Sequence, residues 1–439
     1  MKMAGRQRLC AASLLLSVLV FISPGVTAQE SQLSDSQQLK LVVVVSRHGV
    51  RSPTGKTQQL NQYSAQPWPN WSVPAGELTA HGAKLTMLLG TYDRELFAQQ
   101  GLLASQGCSD AGNIAILADS DQRTRETGKA LAAGMMPGCS IEVHALGEGT
   151  PDALFHPLEA GAIHPDPLIA TAAISGRIGN HPEALAEAYR PQLAALEEVL
   201  LGSSASPGAV GNAGTRKPLL FDISSSLAPG KGDHLADLRS PLGAAATMAE
   251  NLLLEYTEGM PDPGWGRVDL KKLRELMDLH TASADIERRT PYIARAQSAG
   301  LLDRILNSMQ QAIAQKPVAG SLTKPSDRIL ILVGHDTNLA NIAGTLNLNW
   351  LVDGRRDDTP PGGALIFELW KSIKSEYSVR TYYTAQTLDQ MRNLSPLSLD
   401  SPPERVAVFV PGCSRADASC SWSEFSRTVR SAIGQDLVR

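Results

Sequence analysis

The stretch Leu41-Val42-Val43-Val44-Val45-Ser46-Arg47-His48-Gly49 decides the fold. One leucine and four valines follow one another without polar alternation, the pattern of a short strand buried on both faces. The run ends abruptly at Arg47-His48-Gly49, so chemically capable side chains stand where a buried strand opens. Working outward, Leu85, Leu88, Leu89, Tyr92 and Leu96 recur at helical spacing and predict a helix from Thr79 to Gln100, with Gly101 as its stop. A second strand, Asn113 to Ala118, leads into Asp119-Ser120-Asp121 and a helix from about Gln122 to Ala133. A third, Arg328 to Val333, opens onto Gly334-His335-Asp336 and further helical residues. Ala364 to Trp370 and Tyr377 to Thr384 read as neighbouring strands of a hairpin. Three strand-to-helix junctions thus carry polar residues, and in open α/β sheets ligands bind beyond the carboxyl ends of the strands.

From about Pro151 to Asp285 the composition shifts to Ala, Leu and Glu, with helical patterns at 183–202 and 241–257 around a Ser/Gly/Ala/Pro-rich linker at 202–217. The expected fold class is α/β: a large α/β domain with a mostly parallel central sheet, formed by 29–150 and 286–439. A smaller, mainly helical domain is inserted at 151–285. Residues 1–28 read as a signal peptide: Lys2, Arg6 and Arg8 precede the apolar stretch Leu9 to Ile22, Ser23-Pro24-Gly25 breaks it, and Val26-Thr27-Ala28 supplies small residues for cleavage. The apolar stretch is short of the about 20 residues that a membrane span needs. The mature chain is expected in the periplasm or outside the cell, with no membrane attachment.

Losing Lys2, Arg6 and Arg8, with no acid among the first 28 residues, takes the formal net charge from −4 to about −7. That balance argues against a nucleic-acid partner, which needs a basic face. Cys10 leaves with the signal, and Cys108, Cys139, Cys413 and Cys420 remain. An even number in an exported chain reads as disulfides. Four cysteines allow three pairings; proximity favours Cys108–Cys139 and Cys413–Cys420. No CxxC or His-x3-His spacing points to a metal.

The first junction continues as Arg47-His48-Gly49-Val50-Arg51-Ser52-Pro53-Thr54. Guanidinium forks match phosphate oxygens and keep their charge. A neutral imidazole held between them can attack phosphorus and carry the phosphoryl group. The second junction adds Arg123, with Arg125 as its rival; the third adds His335 and the carboxyl group of Asp336. His81, His144, His156, His164, His181, His234 and His280 have no such company in the sequence and read as surface or packed histidines. Glu250 lies in a helical pattern and reads as an exposed or bridging carboxylate.

Arg-His-Gly-x-Arg-x-Pro after a buried strand, with a distant His-Asp after another, resembles the signature of the histidine acid phosphatases. Further similarity, to the bacterial periplasmic phytases of that family, lies in Trp68-Pro69, Arg123-Thr124-Arg125, the stretch Gly259-Met260-Pro261 to Arg267, Gly334 to Asn341, and Thr359-Pro360-Pro361-Gly362-Gly363. It runs from about residue 40 to 430 and is thinnest between about 160 and 240. The resemblance implies His48 as nucleophile and Asp336 as general acid. Arg47, Arg51, Arg123 and His335 become a phosphate clamp, and Thr54, Lys56, Glu250 and Thr337 further substrate contacts. It implies no metal or other cofactor, and an acid optimum if Asp336 must be protonated. The sequence departs from the phytases in having Gly55 rather than lysine after Thr54, and in lacking their additional disulfides.

The expected function is a secreted acid phosphatase acting on a small-molecule phosphate monoester as a monomer, through a phosphohistidine. Phytate (myo-inositol hexakisphosphate) is the leading substrate. A glucose-1-phosphatase or broad sugar-phosphate phosphatase is the alternative, and a periplasmic phosphate-ester binding protein is the non-enzymatic one.

Overall fold

A computed structural model describes residues 37–55, 57–202, 217–232 and 234–434. The signal segment, Cys10 and Lys56 lie outside the described residues. The fold is mixed α/β with a mostly parallel central sheet. Its strands are β1 (Gln37–Arg47), β2 (Ile114–Ala118), β3 (Val143–His144), β4 (Ile329–Gly334), β5 (Ala364–Ser372), β6 (Tyr377–Ala385), β7 (Glu404–Ala407) and β8 (Ser419–Ser421). They lie in the order β7-β6-β5-β1-β4-β2-β3, with β8 also paired to β6. The centre, β1-β4-β2-β3, is parallel; β5 runs antiparallel to β1, and the hairpin β5–β6 continues the sheet towards β7 and β8.

The valine run behaves as its composition demands. Leu41, Val43 and Val45 point into one apolar cluster and Val42 and Val44 into another, so β1 is sandwiched between two layers. Each such fully buried side chain contributes roughly 1.5–3 kcal/mol. Helix α1 (Ala80–Gln99) starts at Thr79, whose hydroxyl caps the Gly82 amide, and packs with helix α2 (Gln122–Met135) on one layer. The other layer is built by Leu301, Leu302 and Ile305 of the long helix Pro291–Ala314, and by the helix Trp422–Ile433.

Between 151 and 285 the chain forms helices and one small hairpin, Ser226–Pro229 with Ala236–Arg239. Two of those helices matter for the site. Helix α3 (Pro241–Thr257) begins with Ser240 as its cap and proline at its first position; helix α4 (Leu270–Glu287) is capped by Asp269. The disulfides Cys108–Cys139 and Cys413–Cys420 are both formed, with Cα separations of 5.5 and 5.2 Å. The first closes the connection around β2 and α2.

Candidate active site

The strand register brings the three junctions together. Arg47 pairs with Gly334, and Val333 with both Ser46 and Ala118, so β1, β2 and β4 end at one level. Backbone bonds tie the loops beyond: the His48 amide donates to Gly334 O (3.0 Å), the Asp119 amide to Val333 O (3.0 Å), and the Gly362 amide to His48 O (2.9 Å). Gly49 is required here, because a Cβ would stand 2.7 Å from the Thr86 hydroxyl.

His48 is buried at the floor of this junction. Its Nδ1–H donates to Gly49 O at 2.8 Å, which leaves the Nε2 lone pair for a ligand. Burial, then the charges of Arg47, Arg51, Arg123 and His335, push its imidazole well below the usual histidine range. Both influences favour the neutral ring. Arg47 donates to Thr359 O at 2.5 Å and forms an ion pair with Glu250. Arg51 reaches the same Glu250 oxygen at 3.5 Å, and burial together with Arg47 and Arg123 lowers it to about 10, still charged. Arg123 pairs with Asp121 at 2.5 Å and stands 3.4 Å from His335 Nδ1, to which it donates. The Nε atoms of all three arginines are buried without a protein partner, and such donors suit the oxygens of a phosphate group. Arg125 turns outward to Glu148 and takes no part.

His335 caps helix α5 (Asp336–Leu346), and Asn338 reaches back to its amide. The His335 Nε2–H donates to Asp119 at 2.7 Å, so its Nδ1 side faces Arg123. The rings of His48 and His335 lie 5.6 Å apart, edge to face. Asp336 opens the helix. Burial raises its carboxyl, but Arg47, His280, Arg51 and His335 outweigh burial and hold it well below the usual carboxylate range.

A cleft of about 560 Å³ opens above, and Arg51, Thr54, Glu250, His280, Asp336 and Thr337 line it. Its far walls come from two helix faces: Gly243, Ala246, Thr247 and Glu250 on α3, and His280, Ser283, Ala284 and Glu287 on α4. Both sets follow three-and-four spacing, so each is one stripe of its helix.

The structure decides three readings of the sequence. Glu250 is the bridging and not the exposed carboxylate: it is buried and bridges Arg47 and Arg51, with burial opposed by Arg47, His280 and Arg51 so that its carboxyl sits low. His280 is packed and not at the surface; its Nε2 lies 3.5 Å from Glu250 and 4.0 Å from Asp336. His156 donates to Asp119 at 3.2 Å, beside His335. Its signal in the sequence was nil, because it comes from an irregular turn. Asp119 was visible at a strand end, but nothing local marked it as the partner of two histidines.

Comparison with known proteins identifies the family. The model of the histidine phosphatase superfamily (branch 2) matches residues 38–175 and 251–384. Phytase AppA of Escherichia coli (strain K12) is 38% identical over 430 residues, covering 95% of this chain and 96% of that protein. The structure of Hafnia alvei phytase in complex with myo-inositol hexakis sulphate superposes with a TM-score of 0.81 at 36% identity, covering 92% of this chain and 99% of that one. Glucose-1-phosphatase of Providencia rettgeri is 28% identical over 447 residues, covering 96% and 99%. The chain therefore belongs to branch 2 of the histidine phosphatase superfamily and is a phosphomonoester hydrolase.

Proposed function

We propose that the enzyme is an exported phytase that releases phosphate from myo-inositol hexakisphosphate through a phosphohistidine at His48. The observation that carries this is the neutral His48 ring set among Arg47, Arg51 and Arg123, with Asp336 across the same cleft. In the first step His48 Nε2 forms a bond to phosphorus and the P–O ester bond breaks, while Asp336 gives its proton to the leaving oxygen. Charge on the equatorial oxygens is met by the three arginines and His335, fixed before the substrate arrives. In the second step water attacks the phosphohistidine, Asp336 takes the water's proton, and inorganic phosphate leaves. The helical segment 151–285 serves as an inserted domain whose α3 and α4 wall the cleft, with Thr54 and Thr337 among its lining residues. Export to the periplasm fits the leader read at 1–28, and no helix among the described residues is long and apolar enough to cross a membrane.

The likeness to phytases at 36–38% identity, against 28% for the glucose-1-phosphatase, supports phytate over a sugar phosphate. One feature favours the second reading: beyond the clamp the cleft offers Arg288 beside the acids Glu287 and Glu250, a modest positive lining for a hexaphosphate. Turnover of phytate, glucose 1-phosphate and p-nitrophenyl phosphate at acid pH separates the two. Phytate is expected to give the highest kcat/KM; negligible release from phytate with rapid glucose 1-phosphate hydrolysis would replace the first reading by the second.

A further inference from the structure

We propose that Asp119, His156 and His335 form a binding site for a divalent cation of the zinc class, and that a cation there tightens the hold of the clamp on phosphate. The three residues come from separate parts of the chain: the end of β2, an irregular turn, and the cap of α5. Yet Nε2 of His335 and Nε2 of His156 converge on one oxygen of Asp119, at 2.7 and 3.2 Å. All three donor atoms lie within 4.8 Å of one another. Atoms bound about 2.1 Å from a shared tetrahedral zinc ion stand roughly 3.4 Å apart, so little movement is needed.

Hydrogen bonds account for one Asp119 oxygen only. The other, Oδ1, is buried without a protein partner, in a residue that is 1% exposed. A lone buried carboxylate oxygen is costly unless something satisfies it, and a metal ion can. Two imidazoles and one carboxylate are borderline donors that select zinc, copper, nickel or iron(II) over magnesium and calcium. His156 is partly exposed, which gives a cation a route in.

The consequence rests on the reading of His335 as a phosphate ligand. A cation on Nε2 takes the place of the proton that now goes to Asp119; the neutral ring carries only that one, so it must pass to Nδ1, the nitrogen that now accepts from Arg123, and Arg123 must turn from His335 towards the phosphate. His335 becomes a permanent donor towards the clamp, backed by a divalent charge where a protonated imidazole would supply a single one. Cation and phosphate should therefore favour each other, and by the same factor in both directions.

The test is calorimetric titration of zinc into the metal-free full chain, with and without inorganic phosphate, for wild type and His156→Asn. Wild type is expected to bind one zinc ion per chain, at least about tenfold more tightly than the variant. Phosphate should raise zinc affinity about fivefold or more in wild type. His156→Gln serves as the second variant, with a thermal melt to establish that both fold. Equal zinc affinity in wild type and both variants, or zinc affinity indifferent to phosphate, would overturn the proposal. Calorimetry needs no turnover, so a chain that binds zinc as expected but cleaves no phosphate ester would sink the phosphohistidine reading and not this site.

Discussion

One oxygen of Glu250 is shared by the guanidinium groups of Arg47 and Arg51, which ties two strand-end cations to a helix across the cleft. The acid holds both forks in place and offsets their mutual repulsion while no anion is bound. Removing one partner of a buried ion pair costs about 3–5 kcal/mol, because the remaining charge is left uncompensated. Glu250→Gln is therefore expected to lower Tm clearly. Inorganic phosphate supplies the missing negative charge, so it should raise the Tm of the variant by more than it raises that of wild type. Equal phosphate-induced shifts, read by differential scanning fluorimetry, would show that Glu250 is not a counter-charge to the clamp.

Asp336 is placed to protonate the leaving oxygen, and its removal should be felt in proportion to how poorly that oxygen leaves. General acid catalysis contributes typically 10²–10⁴-fold. With Asp336→Asn, turnover of alkyl esters such as phytate is expected to drop about 10²-fold or more, and that of p-nitrophenyl phosphate much less, since its leaving group is stable as an anion. Steady-state kcat on both substrates checks this. A uniform loss would assign Asp336 to binding. His48→Ala, by contrast, should abolish both activities and the acid-labile 32P label of a phosphohistidine.

The pH dependence has a different origin from the one that an ordinary aspartate near pH 4 would give. Arg47, His280, Arg51 and His335 outweigh burial and keep Asp336 ionised in the free enzyme down to low pH. Burial and the neighbouring cations favour the neutral form of His48. The proton for the leaving group must then arrive with the substrate. A monoanionic ester carries one, and its negative charge screens Asp336 from the arginines, so the proton can pass to the carboxyl group. Above about pH 6 the ester loses that proton. The alkaline limb of kcat/KM should accordingly follow the second ionisation of each substrate and move when esters of different acidity are compared. A limb fixed at one pH for all of them would return the control to a group on the enzyme.

Much of this was legible in the sequence because it is local. The valine run, its termination at Arg47-His48-Gly49, and the strand ends at Ala118 and Gly334 need only the preceding few residues to be read, and pairing in register then brings them together. The hairpin β5–β6 was legible for the same reason. What escaped was the far wall. His280 is one residue in a helix whose pattern reports only that it packs, and its nearness to Glu250 and Asp336 arises from how α4 meets α3 and α5. The stripe His280, Ser283, Ala284 and Glu287 was there to be seen, but a polar stripe on a helix ordinarily faces water. Asp119 and His156 escaped because Asp119 is their meeting point: His156 reaches it from an irregular turn and His335 from 216 residues away in sequence.

Asp93, on α1 and outside the lining of the cleft, offers a test of the fold's response to pH. Burial, partly offset by Arg405, pushes its carboxyl up to about 7 from an ordinary 3.8. Between those values the folded protein keeps a proton that the unfolded chain has lost. The folded state is thus favoured at low pH, and this contribution falls away as pH rises from about 4 through 7. An asparagine at this position would not ionise, so Asp93→Asn removes that penalty. The Tm of Asp93→Asn minus that of wild type should grow more positive from pH 5 to pH 8, at constant ionic strength. Taking the difference cancels the other titrating groups, including His48 and His335, whose lowered values act in the opposite sense by favouring the unfolded chain in acid. A difference independent of pH would mean that Asp93 keeps its charge in the folded protein, with Arg405 and not a proton as its compensation.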